Sequence, residues 1–183
     1  MARLVLLDRD GVLNVDRPRS VRHPDELEMI PGAADAVARL NRAGWLVALV
    51  SNQAVVGRGD IDRAMLDAIQ AKLRRALVAA GAALDAEFLC ADPPDAMSPR
   101  RKPAPGMLLE ALAQFAADPT ATPMIGDALT DLQAARAAGC ARVLVLTGKG
   151  AATARDLPAD LAPVEIHPDL ASAVDALLGR RGP

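Results

Sequence analysis

The chain has 183 residues, 51% of them apolar and 24% charged, which suits one soluble globular domain with its own core. Its formal net charge of -2 and its three aromatics, Trp45, Phe88 and Phe115, exclude the basic surface and stacking platforms of a nucleic-acid binder. No apolar stretch approaches the ~20 residues that span a membrane; the start runs straight into a strand, without a signal peptide, and a cytoplasmic protein is expected. Two cysteines, Cys90 and Cys140, make no disulfide framework or spaced metal cluster.

In chain order, short apolar runs alternate with helical patterns, as in a mostly parallel sheet covered by helices. The first strand is expected at Arg3–Leu7. A long loop follows from Gly11 to about Pro31, then a helix over Ala33–Ala43 and a strand over Trp45–Val50. A helix over Ile61–Ala80 leads to a strand at Glu87–Cys90. A second long loop, rich in Pro and Arg, covers Ala91 to Pro103. Loops of this length in a compact domain are usually functional. The remainder reads as helix Pro105–Ala117, strand Thr122–Ile125, helix Leu129–Ala138, strand Arg142–Leu146, strand Val164–His167 and helix Leu170–Leu178. Pro105 suits a first helical turn, and Gly44, Gly81 and Gly139 sit where left-handed C-caps belong. No repeat or linker divides the chain, so residues 1–183 read as a single domain.

Candidate chemistry follows four strands. The first apolar run ends in Asp8-Arg9-Asp10-Gly11. Ser51-Asn52-Gln53 follows the second strand. Arg101-Lys102-Pro103 opens the helix leading to the fourth, and Gly126-Asp127-Ala128-Leu129-Thr130-Asp131 follows the fourth. In a parallel sheet these strand ends share one edge, so distant residues can converge on one crevice. Asp8 and Asp127 can supply hard oxygen ligands for Mg²⁺. Ser51 offers a hydroxyl and Lys102 a positive charge for a phosphate, and Asp10 can move a proton. Each residue alone has an ordinary alternative: an Asp-Gly turn, a strand-end cap, a solvated cation, a helix cap or a wet helix face. The ordered set is much harder to obtain by chance.

These segments resemble the four motifs of the haloacid dehalogenase-like (HAD) phosphohydrolases, in order. The closer resemblance is to the D-glycero-D-manno-heptose 1,7-bisphosphate phosphatases and histidinol-phosphatases. It rests on Asp8-Arg9-Asp10-Gly11-Val12, Asn14-Val15-Asp16, Ser51-Asn52-Gln53 with Gly57-Arg58-Gly59, Arg101-Lys102-Pro103 with Pro105-Gly106-Met107, Asp131-Leu132-Gln133-Ala134-Ala135 and Thr147-Gly148-Lys149. It implies a HAD-like Rossmannoid three-layer α/β/α sandwich. It implies Asp8 as nucleophile, forming an aspartyl-phosphate, and Asp10 as the acid and base. Mg²⁺ would be held by Asp8, the backbone carbonyl of Asp10 and Asp127, supported by Asp131. Ser51, Asn52 and Lys102 would hold the transferring phosphoryl group. Asp16, Arg19, Gln53, Arg58 and Arg101 are the expected substrate contacts, with Arg17 on the same rim.

The chain departs from that pattern in three places. The family's zinc-loop cysteines and histidine are missing, with Cys90 alone remaining, so no zinc is expected, since a structural zinc needs four ligands. Arg17-Pro18-Arg19-Ser20 stands where a Gly-Tyr pair is usual, and Ala128 where Lys is usual. No stretch is long enough for a large cap domain. The expected activity is Mg²⁺-dependent hydrolysis of a small phosphorylated metabolite, a sugar (heptose) bisphosphate first, by a monomer. Histidinol phosphate hydrolysis and a non-catalytic HAD-fold binding protein are the alternatives.

Overall fold

The computed structural model describes residues 2–179. Six strands form one sheet in the order β3-β2-β1-β4-β5-β6: β1 Leu4–Leu7, β2 Leu46–Asn52, β3 Ala86–Cys90, β4 Pro123–Gly126, β5 Ala141–Val145 and β6 Glu165–His167. All five pairings are parallel. Among the described residues the α-helices are α1 Ala33–Arg42, α2 Ala54–Gly57, α3 Arg63–Ala79, α4 Gly106–Gln114, α5 Leu129–Ala138, α6 Gly150–Arg155 and α7 Leu170–Gly179. This is the expected three-layer α/β/α sandwich, without a large cap.

Strand alternation explains the layers. Val5 and Leu7 of β1 pack with α1, α3 and α7, whereas Leu4 and Leu6 pack on the other face with α4 and α5. Both faces of each central strand are therefore buried, which is why these strands read as unbroken apolar runs. Cys140 lies in the second layer among Leu4, Met124 and Ala138, packed as a small apolar residue. Asp62 caps α3, its side chain accepting the Met65 N–H at 2.8 Å, so that helix starts at Arg63 rather than Ile61. Pro105 stands one residue ahead of α4 instead of in its first turn. Gly44, Gly81 and Gly139 adopt the left-handed conformation that ends each preceding helix.

The two long loops are pinned rather than open. Asn14 bridges to both Asp10 and Met29, and the Ile30 N–H reaches the Leu13 carbonyl at 2.9 Å, folding residues 11–31 back on themselves. In the other loop Arg100 forks onto Glu110 and donates to the Leu89 carbonyl, while Arg101 donates to the Asp92 carbonyl at 3.1 Å. No described helix is long and apolar enough to cross a membrane. The strand order reverses between β1 and β4, whose neighbours run outward in opposite directions. In such sheets that reversal opens a crevice at the carboxyl ends of the strands.

Candidate active site

At that crevice lies a cleft of about 390 Å³ lined by Asp8, Asp10, Asp16, Ser20, Ser51, Asn52, Ala54, Arg58, Arg101, Lys102, Asp127, Ala128, Thr130, Asp131 and Lys149. Asp8 follows β1, and its backbone N–H still pairs with the Ile125 carbonyl of β4 at 3.0 Å. Asp127 follows β4. One oxygen from each of Asp8, Asp127 and Asp131 lies within 4.8 Å of the other two.

Lys102 faces this carboxylate cluster. Its ammonium is 3.1 Å from Asp8 Oδ1 and 2.6 Å from Asp131 Oδ1, and it donates to the Val50 carbonyl at 2.8 Å. With 2% exposure it is no solvated surface cation. Burial alone would lower its pKa, but pairing with Asp131 and Asp8 outweighs that and raises it. Asn52 fixes the Lys102 backbone from both sides: Nδ2 donates to its carbonyl at 2.9 Å and Oδ1 accepts its N–H at 3.0 Å. The Asn52 side chain thus holds the Lys102 backbone while lining the cleft.

Asp8 and Asp131 share Lys102, and Asp127 has the Lys149 charge beside it. Burial pushes the Asp8 carboxyl up to about 6, with Asp131 and Asp10 adding to the rise and Lys102 opposing it. Asp127 goes further, to about 8, again through burial and then the negative charges of Asp8 and Asp131. Asp131 is committed on both oxygens, Oδ1 to Lys102 and Oδ2 to the Ala128 N–H that starts α5. Asp127 Oδ2 accepts the Lys149 N–H at 2.7 Å. Two glycines in the left-handed conformation, Gly11 and Gly148, flank it, and a Cβ on either would fall on Asp127 Oδ2. The chain leaves room here for a carboxylate and nothing larger.

Asp10 has a different setting. Asn14 Nδ2 donates to its Oδ1 at 2.9 Å, Gln53 Nε2 to its Oδ2 at 3.0 Å, and Arg9 Nη2 to both, at 3.2 and 3.1 Å. Burial would raise its pKa, but the Arg9 charge and these hydrogen bonds outweigh it and hold Asp10 below the usual carboxylate range. Gln53 also donates to Ser51 Oγ at 2.9 Å. Its side chain is buried against Asp10 and Ser51, not turned to the substrate space.

The expected arginine rim divides. Arg58 and Arg101 line the cleft. Arg17 turns away to the Glu26 carbonyl and the Glu28 carboxylate, and Arg19 is exposed and outside the lining. Asp16 lines the cleft and pairs with Lys149 at 3.4 Å. Sequence reasoning did not place Lys149, Ser20 or Thr130 here. Lys149 had a usable signal, since it lies in the turn after β5, on the sheet edge where Asp8 and Asp127 follow β1 and β4.

An aspartate after the first strand, a hydroxyl near the end of the second at Ser51, a lysine ahead of α4 and a carboxylate pair after the fourth strand define a HAD-like hydrolase. A family model described as HAD-hydrolase-like matches residues 99–173, which include Lys102, Asp127 and Asp131. A D-glycero-beta-D-manno-heptose-1,7-bisphosphate 7-phosphatase of Bordetella bronchiseptica is 46% identical over 151 residues, 82% of this chain and 84% of that protein. One from Pseudomonas aeruginosa is 40% identical over 96% of this chain and 97% of its own length. The crystal structure of D,D-heptose 1,7-bisphosphate phosphatase from B. bronchiseptica, complexed with magnesium and phosphate, matches with a TM-score of 0.93 at 42% identity, covering 97% of this chain and 99% of that one. The chain belongs to the heptose bisphosphate phosphatase family of the HAD-like phosphohydrolases, and it is a phosphoric monoester hydrolase.

Proposed function

We propose that this chain is a Mg²⁺-dependent phosphatase that takes one phosphoryl group from a small sugar bisphosphate, heptose 1,7-bisphosphate first, through an aspartyl-phosphate on Asp8. The observation that carries this is the meeting of Asp8, Lys102 and Asp127 at the β1/β4 crevice. Magnesium fits the donors present. Asp8 and Asp127 each offer a carboxylate oxygen and Asp10 a backbone carbonyl, an all-oxygen set for a hard cation. A carboxyl pushed up to about 8 by burial, and then by the negative charges of Asp8 and Asp131, is one that a cation would relieve. When bound, the ion would offset the negative charge around the transferring phosphoryl group. The magnesium and phosphate held by the Bordetella relative support this reading.

Asp8 would attack phosphorus while Lys102 and Ser51 Oγ hold phosphoryl oxygens, with Asn52 fixing the Lys102 backbone. The phosphorus–oxygen bond to the sugar breaks, and a proton from Asp10 goes to the departing sugar oxygen. Asp10, now a carboxylate, then takes a proton from water as the water oxygen attacks phosphorus, and the bond to Asp8 breaks. The donors around Asp10 favour its carboxylate form, which suits the second half; the arriving phosphate dianion favours the protonated form the first half needs. Arg58, Arg101 and Lys149 surround the space left for the second phosphate, with Asp16 and Ser20 beside them. One chain carries every group this requires, so it is proposed to act as a monomeric single-domain enzyme in the cytoplasm.

Zinc is not part of the proposal. Among the described residues the only group of three or more potential metal ligands is Asp8, Asp127 and Asp131, and the Cys90 thiol is directed at Asp92 and Ser98. The test is phosphate release from heptose 1,7-bisphosphate and from histidinol phosphate, with Mg²⁺ and with EDTA. The expected result is Mg²⁺-dependent release with a higher kcat/KM for the bisphosphate, because the cationic amine of histidinol phosphate would meet the basic rim. No Mg²⁺-dependent release, or a preference for histidinol phosphate, would contradict the proposal.

A further inference from the structure

Arg9 is a charged side chain with no exposure, set between the two aspartates of the first motif. Taking a guanidinium out of water is expensive unless its donors are satisfied. Arg9 spends Nη2 on both oxygens of Asp10, at 3.2 and 3.1 Å, and Nη1 on Gln70 Oε1 at 2.8 Å, while its buried Nε has no hydrogen-bond partner. Gln70 projects from α3 and is itself 1% exposed. Its Nε2 donates to Glu87 Oε2 on β3 at 2.9 Å, and Arg74, one turn further along α3, donates to both Glu87 oxygens. The row runs from the cleft through the sheet edge to the surface.

Asp10 itself stands in a turn, and its other two donors, Asn14 and Gln53, lie in the loop and at the residue before the short helix α2. Among the described residues only Arg9 holds both oxygens at once, and only Arg9 links them to a 17-residue helix and, through Gln70 and Glu87, to the edge strand β3. Reacting groups keep their geometry when supported from rigid elements. The placement of Gln70 supports this. It interrupts the apolar stripe Leu66, Ile69, Leu73 and Leu77 of α3, where a leucine would continue the stripe but leave Arg9 Nη1 without its acceptor.

We propose that Arg9 is a positioning residue for Asp10, anchored by Gln70 and Glu87, and that it fixes the Asp10 carboxyl in line with the departing sugar oxygen. This rests on the acid–base reading of Asp10 given above. Arg9→Lys keeps the charge and loses the planar fork, and Gln70→Leu keeps every charge and loosens Arg9. Both are compared with wild type on heptose 1,7-bisphosphate and on acetyl phosphate, with Mg²⁺ present and folding checked by thermal melting. The sugar leaves as an alkoxide that needs a proton, whereas acetate leaves without one. The kcat/KM value covers only steps through departure of that group.

Both variants should lose ~10–10²-fold in kcat/KM on the sugar bisphosphate, below the 10²–10⁴-fold of a positioned acid. On acetyl phosphate they should stay within about threefold, since the proton transfer is not needed there. Arg74→Ala, at the exposed end, should match wild type on both. If Arg9→Lys fails to fold, Gln70→Leu and Glu87→Gln carry the comparison. Equal losses on the two substrates, or no loss on the sugar bisphosphate, overturn the inference. Asp10→Asn runs in parallel. If it discriminates between the substrates and the other variants do not, only the role of Arg9 falls; if it does not discriminate, the acid–base reading falls and the inference with it.

Discussion

Asp8 and Asp10 are two residues apart, face the same cleft, and are treated in opposite ways. Asp8 shares a buried corner with Asp127 and Asp131, where Lys102 pairs with two of the three carboxylates, Lys149 lies beside the third, and burial pushes Asp8 and Asp127 up to about 6 and about 8. Asp10 is clasped by Arg9, Asn14 and Gln53 and is held below the usual range. Identical side chains thus acquire different chemistry from their neighbours. One corner is short of positive charge and suits a cation and a nucleophile. The other holds its carboxylate with donors from Arg9, Asn14 and Gln53 and suits a group that must stay in place while a proton moves.

Replacing each side in turn should break that comparison, and the largest effect belongs to Asp8. Asp8→Asn removes both the attacking oxygen and a metal oxygen, so phosphate release should fall by several orders of magnitude. Turnover close to wild type in purified Asp8→Asn protein would sink the mechanism. Asp10→Asn should be milder, lowering kcat by ~10²–10⁴, the contribution of a positioned acid–base group. A loss as complete as that of Asp8→Asn would mean that the two corners are not separate.

Stability sharpens the same contrast. A carboxyl whose pKa is raised in the folded protein loses stability as pH climbs from its unfolded value near 3.8 through its folded value near 8. In EDTA at pH 8, Asp127→Asn should therefore raise the melting temperature by a few degrees, the scale expected for one or two kcal/mol in a chain of this size. Asp10→Asn should lower it, because a well-paired carboxylate is lost. A fall for Asp127→Asn under those conditions would show that the corner is not charge-strained.

The smallest effects lie on the rim. Arg101→Ala should raise KM more than it lowers kcat if its contact is to the part of the substrate that does not react. Arg19→Ala should leave both constants unchanged, since Arg19 lies outside the cleft lining. An effect of Arg19→Ala as large as that of Arg101→Ala, in steady-state assays, would mean that the loop carrying it moves over the substrate.

Residues at strand ends were the legible part of the site. Asp8, Ser51, Lys102, Asp127 and Asp131 could be placed together because a parallel sheet brings its carboxyl ends to one edge, and strand runs buried on both faces are easy to read. Helices α2 and α6 escaped notice: Ala54–Gly57 and Gly150–Arg155 are four and six residues long, too short to show a helical period. Side-chain direction escaped too. Nothing in Ser51-Asn52-Gln53 tells that Asn52 turns to the Lys102 backbone and Gln53 to Asp10. Gln70 did leave a trace, as a polar residue within an apolar stripe, but its partner Arg9 lies 61 residues away in sequence.

The most direct test of the division between the corners is titration of Mg²⁺ into metal-free wild-type, Asp127→Asn and Asp10→Asn protein by calorimetry. Asp10→Asn should bind Mg²⁺ about as well as wild type, because Asp10 is proposed to meet the ion only through its backbone carbonyl, and Asp127→Asn should lose binding. Retained binding in Asp127→Asn together with lost binding in Asp10→Asn would contradict the account.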